Sequence, residues 1–142
     1  MARWLRVRKL VQLFAVGVAA ALLSACGGNS APKLYPVRGQ LLWNEQPAEG
    51  AQIVFHPVEA TGLMPSGTVG KDGTFTLTTY PHGDGAPAGD YAVVVTWYPP
   101  DARSLDNPQD KLKGRYADPT QSQLKATVKT EPNELPAFRL KK

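Results

Sequence analysis

Cysteine occurs once in the 142 residues, at position 26, so the chain can form neither an internal disulfide nor a multi-cysteine zinc site. Histidine is almost as scarce. His56 and His82 are the only two, and a metal site around His82 would have to recruit carboxylates such as Asp72, Asp84 or Asp90. The segment His82-Gly83-Asp84-Gly85 reads more simply as a solvated turn. No Gly-x-Ser-x-Gly elbow surrounds Ser66, and no Lys-Ser/Thr pair or helix start follows the glycines of residues 82–89. Those gaps remove a serine hydrolase and a phosphate cradle from the readings the sequence supports.

Net charge is missing from most of the chain as well. Of 16 Lys and Arg, four (Arg3, Arg6, Arg8 and Lys9) lie in the first nine residues, leaving twelve bases against the 12 Asp and Glu. The pI near 9.3 therefore describes the N-terminus, and a nucleic-acid partner is not implied. Lys111, Lys113 and Arg115 do cluster, but Asp101, Asp106, Asp110 and Asp118 surround them. That mixture predicts a solvated loop rather than a phosphate-binding strip.

What is present begins with an address. After the basic residues comes an apolar run from position 10 to 23, interrupted only by Gln12. It is shorter than the roughly 20 residues a membrane-spanning helix needs, and it predicts a cleaved secretory signal peptide. The run ends in Leu23-Ser24-Ala25-Cys26, which resembles the lipobox of bacterial lipoproteins. The resemblance implies that Leu23, Ser24 and Ala25 are read by the signal peptidase and that Cys26 carries a diacylglycerol. Gly27 stands where a retention signal would place Asp, which favours the outer membrane. Residues 1–25 are thus expected to be the signal peptide and 26–33 the lipidated N-terminus with a flexible linker. Residues 34–142 are expected to be one domain.

Thirteen Gly and thirteen Pro leave little room for helices. From Leu34 onward apolar residues alternate. Val37, Leu41 and Trp43 share one face, as do Ala51, Ile53 and Phe55; then Phe75 and Leu77; then Tyr91, Val93, Val95 and Trp97; then Phe138 and Leu140. Gly70-Lys71-Asp72-Gly73 predicts a hairpin turn, Glu131-Pro132-Asn133-Glu134 another turn, and Asp110-Lys111-Leu112-Lys113 a short helical turn. About seven strands result. The fold class expected is all-β, a seven-stranded antiparallel sandwich.

The ordered set Val37-x-Gly39, Pro47-x-x-Gly50-Ala51-x-Ile53-x-Phe55, Asp72-Gly73-x-Phe75-x-Leu77 and Pro87-x-Gly89-x-Tyr91-x-Val93-x-Val95 resembles carboxypeptidase regulatory-like domains. These transthyretin-like β-sandwiches are found on many bacterial lipoproteins. Arg115-Tyr116-Ala117-Asp118-Pro119 and Leu124-x-Ala126-x-Val128 resemble the tail of single-domain lipoproteins of that kind. The resemblance implies a Greek-key topology, immunoglobulin-like in its layering, and no catalysis. Transthyretin-like 5-hydroxyisourate hydrolases use early histidines and a C-terminal Tyr-Arg-Gly-Ser; here only an arginine near the end matches. Pilin-type isopeptide chemistry finds Arg38 where it would need an inward lysine.

The expected function is a non-catalytic, lipid-anchored module of the cell envelope that supports structure or binds a protein. The alternative is a glycan- or solute-binding lipoprotein, with a transthyretin-like hydrolase as a third reading. No catalytic residue, metal or cofactor is expected beyond the lipid on Cys26. Tyr80, Trp97, Tyr98 and Tyr116 lie near strand ends, where aromatics line sugar or peptide surfaces or anchor loops. Residues 82–89 and 99–122 are the candidate binding loops, and an edge strand could pair with an extended peptide. The strand phase has a direct test. Phe75→Ala should cost about 3–5 kcal/mol in denaturant unfolding and Thr76→Ala well under about 1; equal losses would mean the register is wrong.

Overall fold

Alternating apolar residues broken by Gly and Pro can bury one face of a strand but cannot sustain a helix. A computed structural model describes residues 31–59, 62–80, 83–101 and 107–141, and among them there is no helix. The expected signal peptide and the Leu23–Cys26 motif lie outside the described residues. All that follows concerns the compact unit Pro32–Lys142.

The strands, in order, are β1 (Leu34–Tyr35), β2 (Val37–Trp43), β3 (Gln46–Pro47), β4 (Gln52–Pro57), β5 (Ser66–Thr68), β6 (Thr74–Thr76), β7 (Ala86–Pro87), β8 (Gly89–Thr96), β9 (Lys125–Val128), β10 (Asn133–Glu134) and β11 (Phe138–Leu140). One sheet is built around β2, which pairs with β3, β6, β10 and β11; a second has the order β5-β4-β8-β9; β1 and β7 form a two-stranded ribbon. Val37, Leu41, Phe75, Leu77 and Leu140 from the first sheet and Ile53, Phe55, Tyr91, Val93 and Val95 from the second bury into a common core. Phe55, wholly buried, stands 5.6 Å from Tyr91, 6.4 Å from Phe138 and 6.5 Å from Phe75, ring centre to ring centre. Burying such a side chain is worth about 1.5–3 kcal/mol.

The inward faces agree with the alternation, although Trp43, Trp97 and Phe138 are half-buried at its margins. Three expectations need correction. The described residues hold eleven short strands rather than seven, and two pairings are parallel: β10 with β2 and β11 with β2. Hairpins give antiparallel neighbours, whereas a parallel neighbour needs a crossover. Here everything from β3 to β9 is that crossover. Second, the turn at residues 70–73 forms, with the Gly70 amide donating to the Thr74 carbonyl at 2.8 Å, and its arms pair again where Ser66 meets Thr78, but the strands they carry belong to different sheets. β5 pairs with β4 in one sheet and β6 with β2 in the other, so this turn joins the sheets. Third, residues 110–115 make turns, with the Lys113 amide on the Asp110 carbonyl at 2.9 Å, and no helix.

Two glycines explain why the strands approach so closely. Gly39 faces Phe75 across the β2–β6 pair, and a Cβ there would lie 2.6 Å from the ring. Gly85, at φ +94, packs against the Tyr35 carbonyl, where a Cβ would be 1.9 Å from its oxygen. Between β2 and β3 the chain reverses through Asn44 and Glu45, at φ 48 and 63. Positive φ at both central residues is the two-residue turn that matches strand twist and normally selects Asn-Gly.

Glu45 therefore sits in a left-handed conformation, offset only by an exposed ion pair with Arg139. Such pairs are worth about 0–1 kcal/mol, while the left-handed conformation costs a side-chain-bearing residue roughly 1–2. Glu45→Gly should be more stable than Glu45→Ala by about 1 kcal/mol in thermal melts, both having lost the ion pair. Equal melting temperatures would contradict the turn geometry.

Candidate functional site

The residues that sequence reasoning placed in loops are mostly occupied in holding those loops. Asp84 accepts the backbone N–H of Thr79 at 2.8 Å and of Tyr80 at 2.9 Å, one on each carboxylate oxygen. Asp72 accepts the hydroxyl and the amide of Thr74 at 2.7 and 3.1 Å. These two donors, the hydroxyl foremost, hold its carboxyl below the usual range. His56 lies in β4 opposite Ala92, and His82 lies outside the described residues. No group of three His, Cys, Asp or Glu that could hold a metal occurs among the described residues.

Residues 107–122, the larger described part of the second candidate loop, are less adaptable than their sequence suggests. Leu112 is buried, and Asp110 accepts three backbone amides, from Trp97 (2.8 Å), Leu112 (3.0 Å) and Gly114 (2.9 Å). The Lys111 amide donates to the Trp97 carbonyl at 2.7 Å, and the Val95 amide to the Tyr116 carbonyl at 2.9 Å. Asp118 then receives the Thr120 hydroxyl and amide, both at 2.7 Å, which hold its carboxyl low. This fixes Ser122, whose hydroxyl donates to the Val93 carbonyl at 2.5 Å. The segment is a strap along β8 rather than a free loop. Lys111, read as solvated, stands 4.3 Å over the Trp97 ring.

The strap also consumes two of the four candidate aromatics. Trp97 donates its indole N–H to the Glu49 carbonyl at 2.9 Å, and Tyr116 is half-buried beside the core. Tyr80 and Tyr98 remain exposed. The Tyr91 phenol, raised in pKa by burial, donates to the Pro87 carbonyl at 2.8 Å and serves the fold.

A further concavity lies elsewhere. A groove of about 580 Å³ runs between β9 and the segment carrying β10 and β11, with Ala126, Leu135 and Phe138 as apolar lining and Lys125, Lys129, Glu131 and Glu134 around it. Its position follows from how the sheets are joined. On one side they are linked where Ser66 and Thr78 exchange backbone hydrogen bonds at 2.9 and 2.8 Å. On the other, β9 and β10 are both terminal strands, and the groove is the gap between them. One side chain ties that gap at its end. Asn133, nearly buried, accepts the Lys129 amide at 2.8 Å and donates to the carbonyls of Lys129 at 3.2 Å and Glu131 at 2.5 Å. Sequence reasoning placed Asn133 in a turn and gave it no role; nothing in a Glu-Pro-Asn-Glu stretch signals a side chain that bonds back four residues.

No family model matches the chain, and no curated protein matches it. Two solved structures are weakly similar. One is a 9R-lipoxygenase from Cyanothece, at 12% identity and a TM-score of 0.42, over 91% of this chain and 20% of that one. The other is a DUF3823 family protein from Parabacteroides merdae, at 17% identity and a TM-score of 0.36, over 79% of this chain and 46% of that one. The chain thus spans less than half the length of either, and similarity at this level says nothing of activity.

Asn133 supplies the decisive measurement for this region. Asn133→Ala should destabilise by about 2–3 kcal/mol, because it takes the partner from the Lys129 amide and from the Lys129 and Glu131 carbonyls. Asn133→Asp should recover little, since a carboxylate keeps the acceptor and loses both donors. A wild-type unfolding midpoint for either variant would contradict the tie.

Proposed function

We propose that the protein is a non-catalytic, lipid-anchored β-sandwich of the cell envelope that binds a protein partner. The observation that carries the anchor is the single cysteine placed directly after the apolar run, in Leu23-Ser24-Ala25-Cys26. Cleavage before Cys26 and acylation of its thiol tether the domain on the extracytoplasmic side, and Gly27 directs it to the outer membrane. Several acyl chains, at roughly 0.8 kcal/mol per buried CH₂, make such anchorage firm. The ordered motifs from Val37-x-Gly39 to Val93-x-Val95 support a carboxypeptidase regulatory-like, Greek-key arrangement of the two sheets.

The non-catalytic reading is supported by what the polar groups already do. Asp72, Asp84, Asp110 and Asp118 each cap backbone or hydroxyl donors, and the Ser122 hydroxyl is committed to Val93. Acid–base or nucleophilic work needs groups free to exchange a proton or attack. The groove, lined by both apolar and charged side chains and flanked by terminal strands, supports binding of a polypeptide over a saccharide, since two of the four candidate aromatics are used within the chain.

The anchor is tested by growing cells with an alkyne-tagged fatty acid. Wild-type protein should sediment with membranes and carry the tag; Cys26→Ser should lose the tag and appear as unprocessed precursor or soluble protein. Mass spectrometry that finds an unmodified Cys26 in membrane-extracted wild type would overturn the reading.

A further inference from the structure

The sheet β5-β4-β8-β9 has two ends, and they are treated differently. At β5 the edge is closed against β6, so closely that a Cβ on Gly67 would be 2.6 Å from the Thr76 carbonyl oxygen. At the other end β9 pairs with β8 alone among the described residues. The Val93 amide donates to the Leu124 carbonyl at 2.9 Å. Peptide groups alternate sides along a strand, so Ala126 and Val128 also face β8, while Lys125 and Thr127 turn their N–H and C=O outward. Lys129 is the next outward residue, and its N–H and C=O are both taken by the side chain of Asn133.

That amide side chain acts as a peptide group: its oxygen accepts and its nitrogen donates, as a neighbouring strand would. The protein thus begins a further strand beside β9 and supplies only its first unit. Two residues of edge, with four hydrogen-bonding groups, continue from there into the groove. Along this edge the outer face is Lys125, Thr127 and Lys129, all exposed, and the inner side opens on Ala126, Leu135 and Phe138. A strand laid there alternates between the two. Its outward side chains meet the lysines, and its inward ones meet the apolar lining.

Charge decides the occupant. A second copy of β9 paired antiparallel about Thr127 would set Lys125 opposite Lys129 of the other copy, and like charges directly opposite are destabilising. An acidic residue in that place is attracted. Glu131 and Glu134 belong to the opposite wall, which sets an acidic strand against β9 rather than β10; Asp90, across from Thr127 on β8, is occupied by the threonine hydroxyl at 2.5 Å. We propose that β9 takes, by strand addition, an extended segment of a partner protein in which acidic and apolar side chains alternate. The proposal rests on the binding-module reading and names the chemistry of the partner.

The test uses the full chain in detergent micelles and a fluorescent seven-residue peptide alternating valine and glutamate, followed by anisotropy. Saturable binding is expected, at least tenfold weaker for the valine–lysine counterpart and for a peptide N-methylated at the amides of its pairing edge. Thr127→Pro removes an outward donor without touching the β8 ladder, a substitution edge strands accept, and should weaken binding at least tenfold at an unchanged melting temperature. Thr127→Ser, which keeps both the amide and the hydroxyl that occupies Asp90, should bind as wild type does. Equal binding of the N-methylated peptide would overturn the proposal even if Thr127→Pro fails to fold, and so would equal binding of the lysine peptide. Absence of peptide binding from protein that carries the fatty-acid tag overturns strand addition and leaves the anchor standing; absence of the tag with peptide bound does the reverse.

Discussion

The backbone of β2 is the constraint on which the rest of the structure depends. Both of its edges carry partner strands. On one, the Asn133 and Leu135 amides donate to the carbonyls of Pro36 and Arg38, and the Asn44 amide to that of Leu140. On the other, Leu41 donates to Gly73, Leu77 to Val37 and Ala48 to Leu41. Buried peptide groups must be paired, so four separate strands are held in place by seven residues of one strand. A slip of one residue in that strand would turn Val37 and Leu41 out of the core and break the pairings with all four neighbouring strands at once.

Closing the chain in this way links folding to the groove. Phe138 lies in β11, far along the chain from its partners, yet its ring meets Phe55 edge-on at 6.4 Å and stacks on Phe75 at 6.2 Å. Aromatic pairs of this kind add about 0.5–1.5 kcal/mol each beyond burial. The same half-buried ring lines the groove. A ligand resting there would touch a side chain that packs directly on the core.

The inward-facing residues were legible in sequence because period-two alternation is a local signal. So was the turn at Asp72-Gly73. Parallel pairing was not, since Ala137-Phe138-Arg139-Leu140 alternates identically whichever way its neighbour runs, and direction is decided by the crossover through the other sheet. The strap was hidden for a different reason. Asp110 reads as one acid among many, and its role exists only because the Trp97 amide, thirteen residues away, comes within 2.8 Å. Asn133 and the groove arise in the same non-local way. The proposed address is the reverse case: it is read from Leu23-Ser24-Ala25-Cys26 alone, which lies outside the described residues.

An unpaired sheet edge is a hazard that proteins blunt with short strands, lysines and covering groups. β9 has all three: four residues, Lys125 with Lys129 just beyond its end, and the Asn133 cap. Under the proposed anchor these precautions matter more, because tethered copies meet at a high effective concentration on a membrane surface. Seven linker residues after the lipidated cysteine reach at most about 25 Å, which keeps neighbouring edges within the same thin layer. Like charge then keeps copies apart where dilution does not. The same lysines leave the edge open to a strand of opposite charge, so protection against self-pairing and selection of a partner follow from one arrangement of side chains.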